Sequence, residues 1–141
     1  MEPITTAKLE DGALVVVDSA PIIYSLEGRA PLARRFRPLF DRHAKGQISF
    51  AVTTITIAEV LTGPLMAGDD VLAERYRAVL TSWNVIELTT EIAATAARLR
   101  AALKLMLPDA VQAASALAVN ADALVTHDRD FSRLTVLRVL G

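Results

Sequence analysis

The sequence predicts a three-layer α/β domain, with helices covering both faces of a mainly parallel, five-stranded sheet. Three observations carry that expectation. Leu14–Val17 is an unbroken apolar run, L-V-V-V, which suits a strand buried on both faces; a strand with one wet face would alternate apolar and polar residues. Further short apolar runs alternate with longer segments of helical period, the order that βαβ units with right-handed crossovers produce. Finally, 141 residues with 52% hydrophobic content make one domain with a substantial core.

Residues 1–13 are polar and turn-rich and read as a loose N-terminal arm, ahead of a single domain over residues 14–141. After the first strand, Ser19 is a helix cap and Pro21 belongs to the first turn of a short helix that ends near Gly28. Over residues 31–45 a helical pattern places Leu32, Phe36, Leu39, Phe40 and His43 on one side. Pro38 should kink or split that helix, because proline removes an internal hydrogen bond. Arg29, Arg34, Arg35, Arg37, Arg42 and Lys45 stand in this region against Asp41, a charge set that suits a phosphate-facing surface or a plain solvated helix face. Arg29 is a candidate substrate contact on the first of these readings.

Residues 48–52 read as the second strand. The run T-T-I-T-I-A-E-V-L-T-G follows, with Thr53 or Thr54 as cap, a stripe of Ile55, Ala58, Glu59 and Thr62, and Gly63 as the stop before a loop over 64–68. Residues 69–83 are helical, acidic first and basic later, as the helix dipole prefers; Tyr76 and Trp83 are expected to pack in or beside the core. A third strand over 85–88 precedes the helix Thr90–Leu103, which spaces Ile92, Ala96, Leu99 and Leu103 helically. After a break at 104–107, Pro108 and Asp109 open a helix to about Asn120, followed by a strand over 123–126, a turn at 127–130 and a fifth strand over 136–139.

Composition narrows the chemistry. The net charge of −1 does not advertise a protein held to nucleic acid by bulk charge. Clustered acids that grip phosphates through a metal ion would lower the net charge while creating that grip, so the balance leaves such an enzyme open. With no cysteine, disulfides, thiolate nucleophiles and Cys-based zinc sites are excluded, and two histidines cannot make a multi-histidine site. No apolar run approaches the roughly 20 residues of a membrane span, and the first residues lack a signal peptide's basic start and apolar run, so a cytoplasmic protein without membrane contact is expected. A phosphate-cradling glycine loop and a G-x-S-x-G elbow are both missing, which leaves water as the expected nucleophile.

Four acids occupy comparable positions in this scheme. Asp18 ends the first strand and Asp128 follows the fourth; Asp109 opens the helix leading into the fourth, and Glu59 lies in the helix after the second. Carboxyl ends of parallel strands share one edge, where α/β sheets bind ligands, so Asp18 and Asp128 can face one cleft. Such a cleft would be a hard, oxygen-lined site suited to Mg²⁺ or Mn²⁺. Taken singly, Asp109 is also a good helix-start residue, Asp128 and Asp130 are ordinary turn residues, and Glu59 suits a solvated helix face. Asp18, after three valines, is the hardest to read as structural. His127 adjoins the cleft as a candidate substrate contact, or is a solvent-exposed turn residue.

L-V-V-V-D-S, T-T-I-T-I-A-E-V-L-T-G, L-P-D-A-V-Q-A-A-S-A-L-A and A-D-A-L-V-T-H-D-R-D-F, in this order and spacing, resemble the PIN-domain ribonucleases, in particular the VapC-like toxins of type II toxin–antitoxin pairs. The resemblance covers residues 14–141. It implies a PIN-like α/β/α fold and a cytoplasmic, Mg²⁺- or Mn²⁺-dependent endoribonuclease with Asp18, Glu59, Asp109 and Asp128 as catalytic acids. Asp18, Asp109 and Asp128 would ligate the metal, with Ser19, Thr126 and Asp130 in support. It further implies an RNA substrate, a homodimer, and an antitoxin whose C-terminal segment covers the active site. The family often places Thr and then Asn after the first acid; here Ser19 keeps a hydroxyl and Ala20 offers no amide.

Other classes leave different marks. A PIN-domain nuclease of RNA processing would share these acids, and a non-catalytic PIN-like module would be expected to lack some of them. A phosphotransfer protein using Asp18 as acceptor fits poorly: a dehalogenase-type phosphatase wants an acid at the position of Ala20, and a receiver wants a late lysine, whereas no lysine follows Lys104.

Overall fold

The computed structural model describes residues 2–127 and 137–141. In chain order the described elements are β1 (Leu14–Val17), α1 (Ser19–Glu27), α2 (Leu32–Ala44), β2 (Ser49–Thr53), α3 (Thr54–Met66), α4 (Asp70–Thr81), β3 (Asn84–Ile86), α5 (Thr90–Leu103), α6 (Leu107–Ala118), β4 (Ala123–Val125) and β5 (Val139–Leu140). The sheet runs β3-β2-β1-β4-β5, and each of its pairings is parallel. The expected mainly parallel sheet is therefore parallel throughout the described residues, and β1 is central, with β4 beside it where the strand order reverses.

The valine run does what an all-apolar strand must. Val15, Val16 and Val17 are fully buried. Because successive side chains leave a strand on opposite faces, Val15 and Val17 join the core with Ile22, Phe36, Leu39, Phe50, Val60 and Leu80. Val16 joins the opposite core with Ile92, Ala96, Ala110, Ala113 and Leu124. Helices α1 to α4 thus cover one face, and α5 and α6 the other. Each buried valine contributes about 1.5–3 kcal/mol of apolar burial. Tyr76 and Trp83 pack against the first core, as their chemistry suggests.

Several local expectations change. The arm before β1 is docked: Ile4 and Leu9 are buried, the Ile4 N–H donates to the Arg35 carbonyl (2.8 Å), and the Arg42 guanidinium donates to the carbonyls of Thr6 and Leu9 (2.8 Å each). Two apolar residues at five-residue spacing in a polar stretch carry no periodic signal, so only tertiary contact shows them. Pro38 neither splits nor ends α2, which runs from Leu32 to Ala44. Gly63 does not stop α3; the helix continues through a buried Pro64 to Met66. Its buried stripe is Thr56, Val60 and Pro64, while Ala58, Glu59 and Thr62 lie on the exposed side. Residues 128–136, including the start expected for the last strand, lie outside the described residues.

Candidate active site at the carboxyl edge of the sheet

Backbone pairing brings the first acid and its neighbour together. Val17 is in register with Val125, and the Asp18 N–H donates to the Val125 carbonyl (2.8 Å). Thr126 therefore lies alongside Asp18, and its hydroxyl donates to Asp18 Oδ2 at 2.9 Å. Asp18 is also the N-cap of α1: its Oδ1 accepts the Ser19 N–H at 2.8 Å. A third donor comes from across the sheet, where Gln112 Nε2 on α6 reaches Oδ1 at 2.9 Å. Asp18 is 9% exposed, so this acid is largely desolvated yet receives three neutral hydrogen bonds. Such donors hold the carboxylate in one orientation.

Glu59 and Asp109 join it. Both line one open cleft of about 420 Å³ with Asp18, Ser19, Ala20, Tyr24 and His127. Asp109 is in the first turn of α6, where a carboxylate suits the helix dipole. Partial desolvation and then the negative charge of Asp18 push the Glu59 carboxyl above its ordinary value, and a hydrogen bond from the Ser19 side chain opposes them. Among the described residues, no ion pair involves Asp18 or Glu59.

His127 is not a free turn residue. Its Nδ1 is 3.2 Å from the Tyr24 hydroxyl, and its ring packs edge-on against Tyr24 and Phe36 (centroids 5.6 and 5.9 Å). Arg29 is exposed, paired with Glu27 and not among the cleft-lining residues. Asp128 and Asp130 lie outside the described residues. Sequence reasoning passed over Tyr24, Thr56 and Gln112. A signal for the last was present: a lone glutamine inside the alanine-rich run A-V-Q-A-A-S-A, on a helix buried at each position from Ala110 to Ala116.

Among the described residues, no three acids or histidines stand close enough to form a complete metal cage. The donors nevertheless fit a hard divalent cation. They are carboxylate oxygens, Asp18 is oriented by its donors, and the mutual repulsion of Asp18 and Glu59 is what a cation would relieve. Mg²⁺ in particular keeps several waters and is commonly held by only one or two carboxylates plus a substrate phosphate.

A parallel α/β sheet with acids gathered at its carboxyl edge defines a class of protein built to bind a ligand there. The PIN domain model matches residues 15–137, and the chain belongs to that family. Among solved structures, the chain is similar to one from a toxin–antitoxin complex of Klebsiella pneumoniae (25% identity, TM-score 0.70, covering 87% of this chain and 94% of that one). Similar folds occur in VapBC-1 of nontypeable Haemophilus influenzae (23% identity, TM-score 0.70, 89% and 96% covered). Another is VapC20 of Mycobacterium tuberculosis, described as a sarcin–ricin loop cleaving toxin (18% identity, TM-score 0.63, 84% and 92% covered). Comparison with curated protein sequences gives no match.

Proposed function

We propose that this PIN domain is a Mg²⁺- or Mn²⁺-dependent endoribonuclease acting as the toxin of a toxin–antitoxin pair. The observation that carries the reading is the convergence of Asp18, Glu59 and Asp109 on one cleft. The toxin–antitoxin complexes among its structural neighbours support the biological half of the reading. Asp18 and Asp109, with Asp128, would hold the ion. Once bound, it would polarise a phosphodiester oxygen and lower the pKa of a water.

The chain's own groups divide the remaining work. The Ser19 N–H, the Gln112 amide and the Thr126 hydroxyl keep the Asp18 carboxylate aimed. Glu59, raised above an ordinary glutamate, is the better base for a proton leaving the attacking water, since a base works best when its pKa approaches the operating pH. Tyr24 and His127 offer a half-buried aromatic wall beside the acids on which an RNA base can stack. Met106 and Leu107, exposed at the start of α6 near Asp109, provide apolar surface for an antitoxin segment lying across the cleft or for a second copy in a homodimer.

The test is cleavage of a structured RNA by the purified chain with Mn²⁺, with Mg²⁺ and with a chelator. Metal-dependent internal cuts are expected, and suppression by the co-purified antitoxin. An RNA left intact under all three conditions overturns the proposal.

A further inference from the structure

Gln112 is 1% exposed and bonded to groups on two other elements. One of its N–H groups donates to Asp18 Oδ1 (2.9 Å) and the other to Thr56 Oγ1. The amide can face only this way, because a carboxylate offers acceptors alone and needs a donor opposite. Thr56 is itself fixed: its N–H donates to Thr53 Oγ1 (3.1 Å), the cap that starts α3, and its hydroxyl accepts from Thr53 (3.2 Å). Gln112 Oε1, meanwhile, is buried without a partner among the described residues.

Positions along the helices give this network its meaning. Residues three apart on a helix are neighbours about one turn from each other. Gln112 is three residues after Asp109 on α6, and Thr56 three residues before Glu59 on α3. The buried contacts Asp18–Gln112–Thr56 therefore link the three elements that carry Asp18, Asp109 and Glu59, one helical turn from each of the two helix-borne acids. An unpartnered buried acceptor costs stability, and an apolar side chain of the same length would avoid that cost while filling the space.

We infer that Gln112 is a positioning residue, whose two N–H groups orient the Asp18 carboxylate and hold α6 against α3 so that Asp18 and Asp109 face the same cleft as Glu59, where a divalent cation can bind. This rests on the metal-site reading of the cleft and adds to it a side chain that touches neither ion nor substrate. Groups hydrogen-bonded to metal ligands in this way typically control metal affinity by 10–100-fold.

The experiment is Mn²⁺ titration by calorimetry of the wild-type chain, Gln112→Leu, Gln112→Met and Thr56→Val, with thermal melting of each in chelator. Both Gln112 variants should bind Mn²⁺ about 10–100-fold more weakly and melt close to the wild-type temperature, since losing the two donated hydrogen bonds and losing the orphaned acceptor act in opposite directions. Thr56→Val should lose less affinity, because Gln112 still reaches Asp18. Wild-type affinity in both Gln112 variants overturns the inference alone, as does a lowered melting temperature with intact affinity, the mark of a merely structural amide. A wild-type chain that binds no Mn²⁺ overturns the metal-site reading and the inference with it. Should Gln112→Leu fail to fold, Gln112→Met and Thr56→Val carry the same test.

Discussion

At the amino end of the sheet, Arg42 reaches the carbonyls of Thr6 and Leu9, Asp11 Oδ1 and Gln47 Oε1, tying the arm to α2 and to the entry of β2. At the carboxyl end, Asp18 is held from α1, α6 and the end of β4 only by neutral donors, and partial desolvation, with the charge of Asp18 second, raises the pKa of Glu59. One network answers a charge with its opposite; the other, buried, orients a charge that has no ion-pair partner among the described residues. The first arrangement stabilises the fold. The second leaves a demand that a cation can meet, which is why the carboxyl edge is the one proposed as functional.

The largest expected effect comes from removing that demand. Asp18→Asn keeps a carbonyl oxygen for Ser19 and Gln112 and an amide for the Thr126 hydroxyl, so stability should change by less than about 1 kcal/mol. RNA cleavage should fall by at least about 100-fold, the upper range for residues that merely support a ligand. Cleavage by the variant at the wild-type rate would remove Asp18 from the site. Next, an ion at 100 times its dissociation constant should add about 2.7 kcal/mol to wild-type stability. In Asp18→Asn most of that gain should vanish, as read from urea midpoints with and without Mn²⁺.

The amino end gives the converse. Arg42→Met removes hydrogen bonds from a charged donor and should cost about 2 kcal/mol while single-turnover cleavage stays unchanged. A large loss of cleavage would mean that the two ends are coupled.

The smallest effect is a pH slope. Because Glu59 binds its proton more tightly in the folded protein than in the unfolded chain, its contribution is full below the ordinary glutamate value of 4.5 and is lost as pH rises through the raised value. Stability in chelator should therefore decline over that window, modestly for so exposed a group, and Glu59→Gln should flatten the decline. An identical slope in both proteins would separate Glu59 from Asp18.

Much of this comparison was legible in the chain. The valine run announced a strand buried on both faces, and Gly28 takes the left-handed conformation (φ 65°) that closes α1 where expected. Asp18, Glu59 and Asp109 were visible as acids at one kind of position, since strand polarity alone assigns an edge. The end of α3 is not legible locally, because Gly63 and Pro64 are poor helix formers by propensity, yet Pro64 is buried inside the helix. Packing outweighed propensity there.

What the sequence by itself determined is the repeating strand–helix order, the all-apolar central strand and the supply of acids at the carboxyl edge, because these follow from local periodicity and chain direction. Tertiary structure alone decided that Arg42 clamps the arm at Thr6, Leu9 and Asp11, that His127 packs against Tyr24 and Phe36, and that Gln112 holds Asp18. Each of these joins groups more than thirty residues apart, up to 103 for His127 and Tyr24. A hydrogen bond across such a distance depends on where two elements come to rest against one sheet, and no local pattern encodes it.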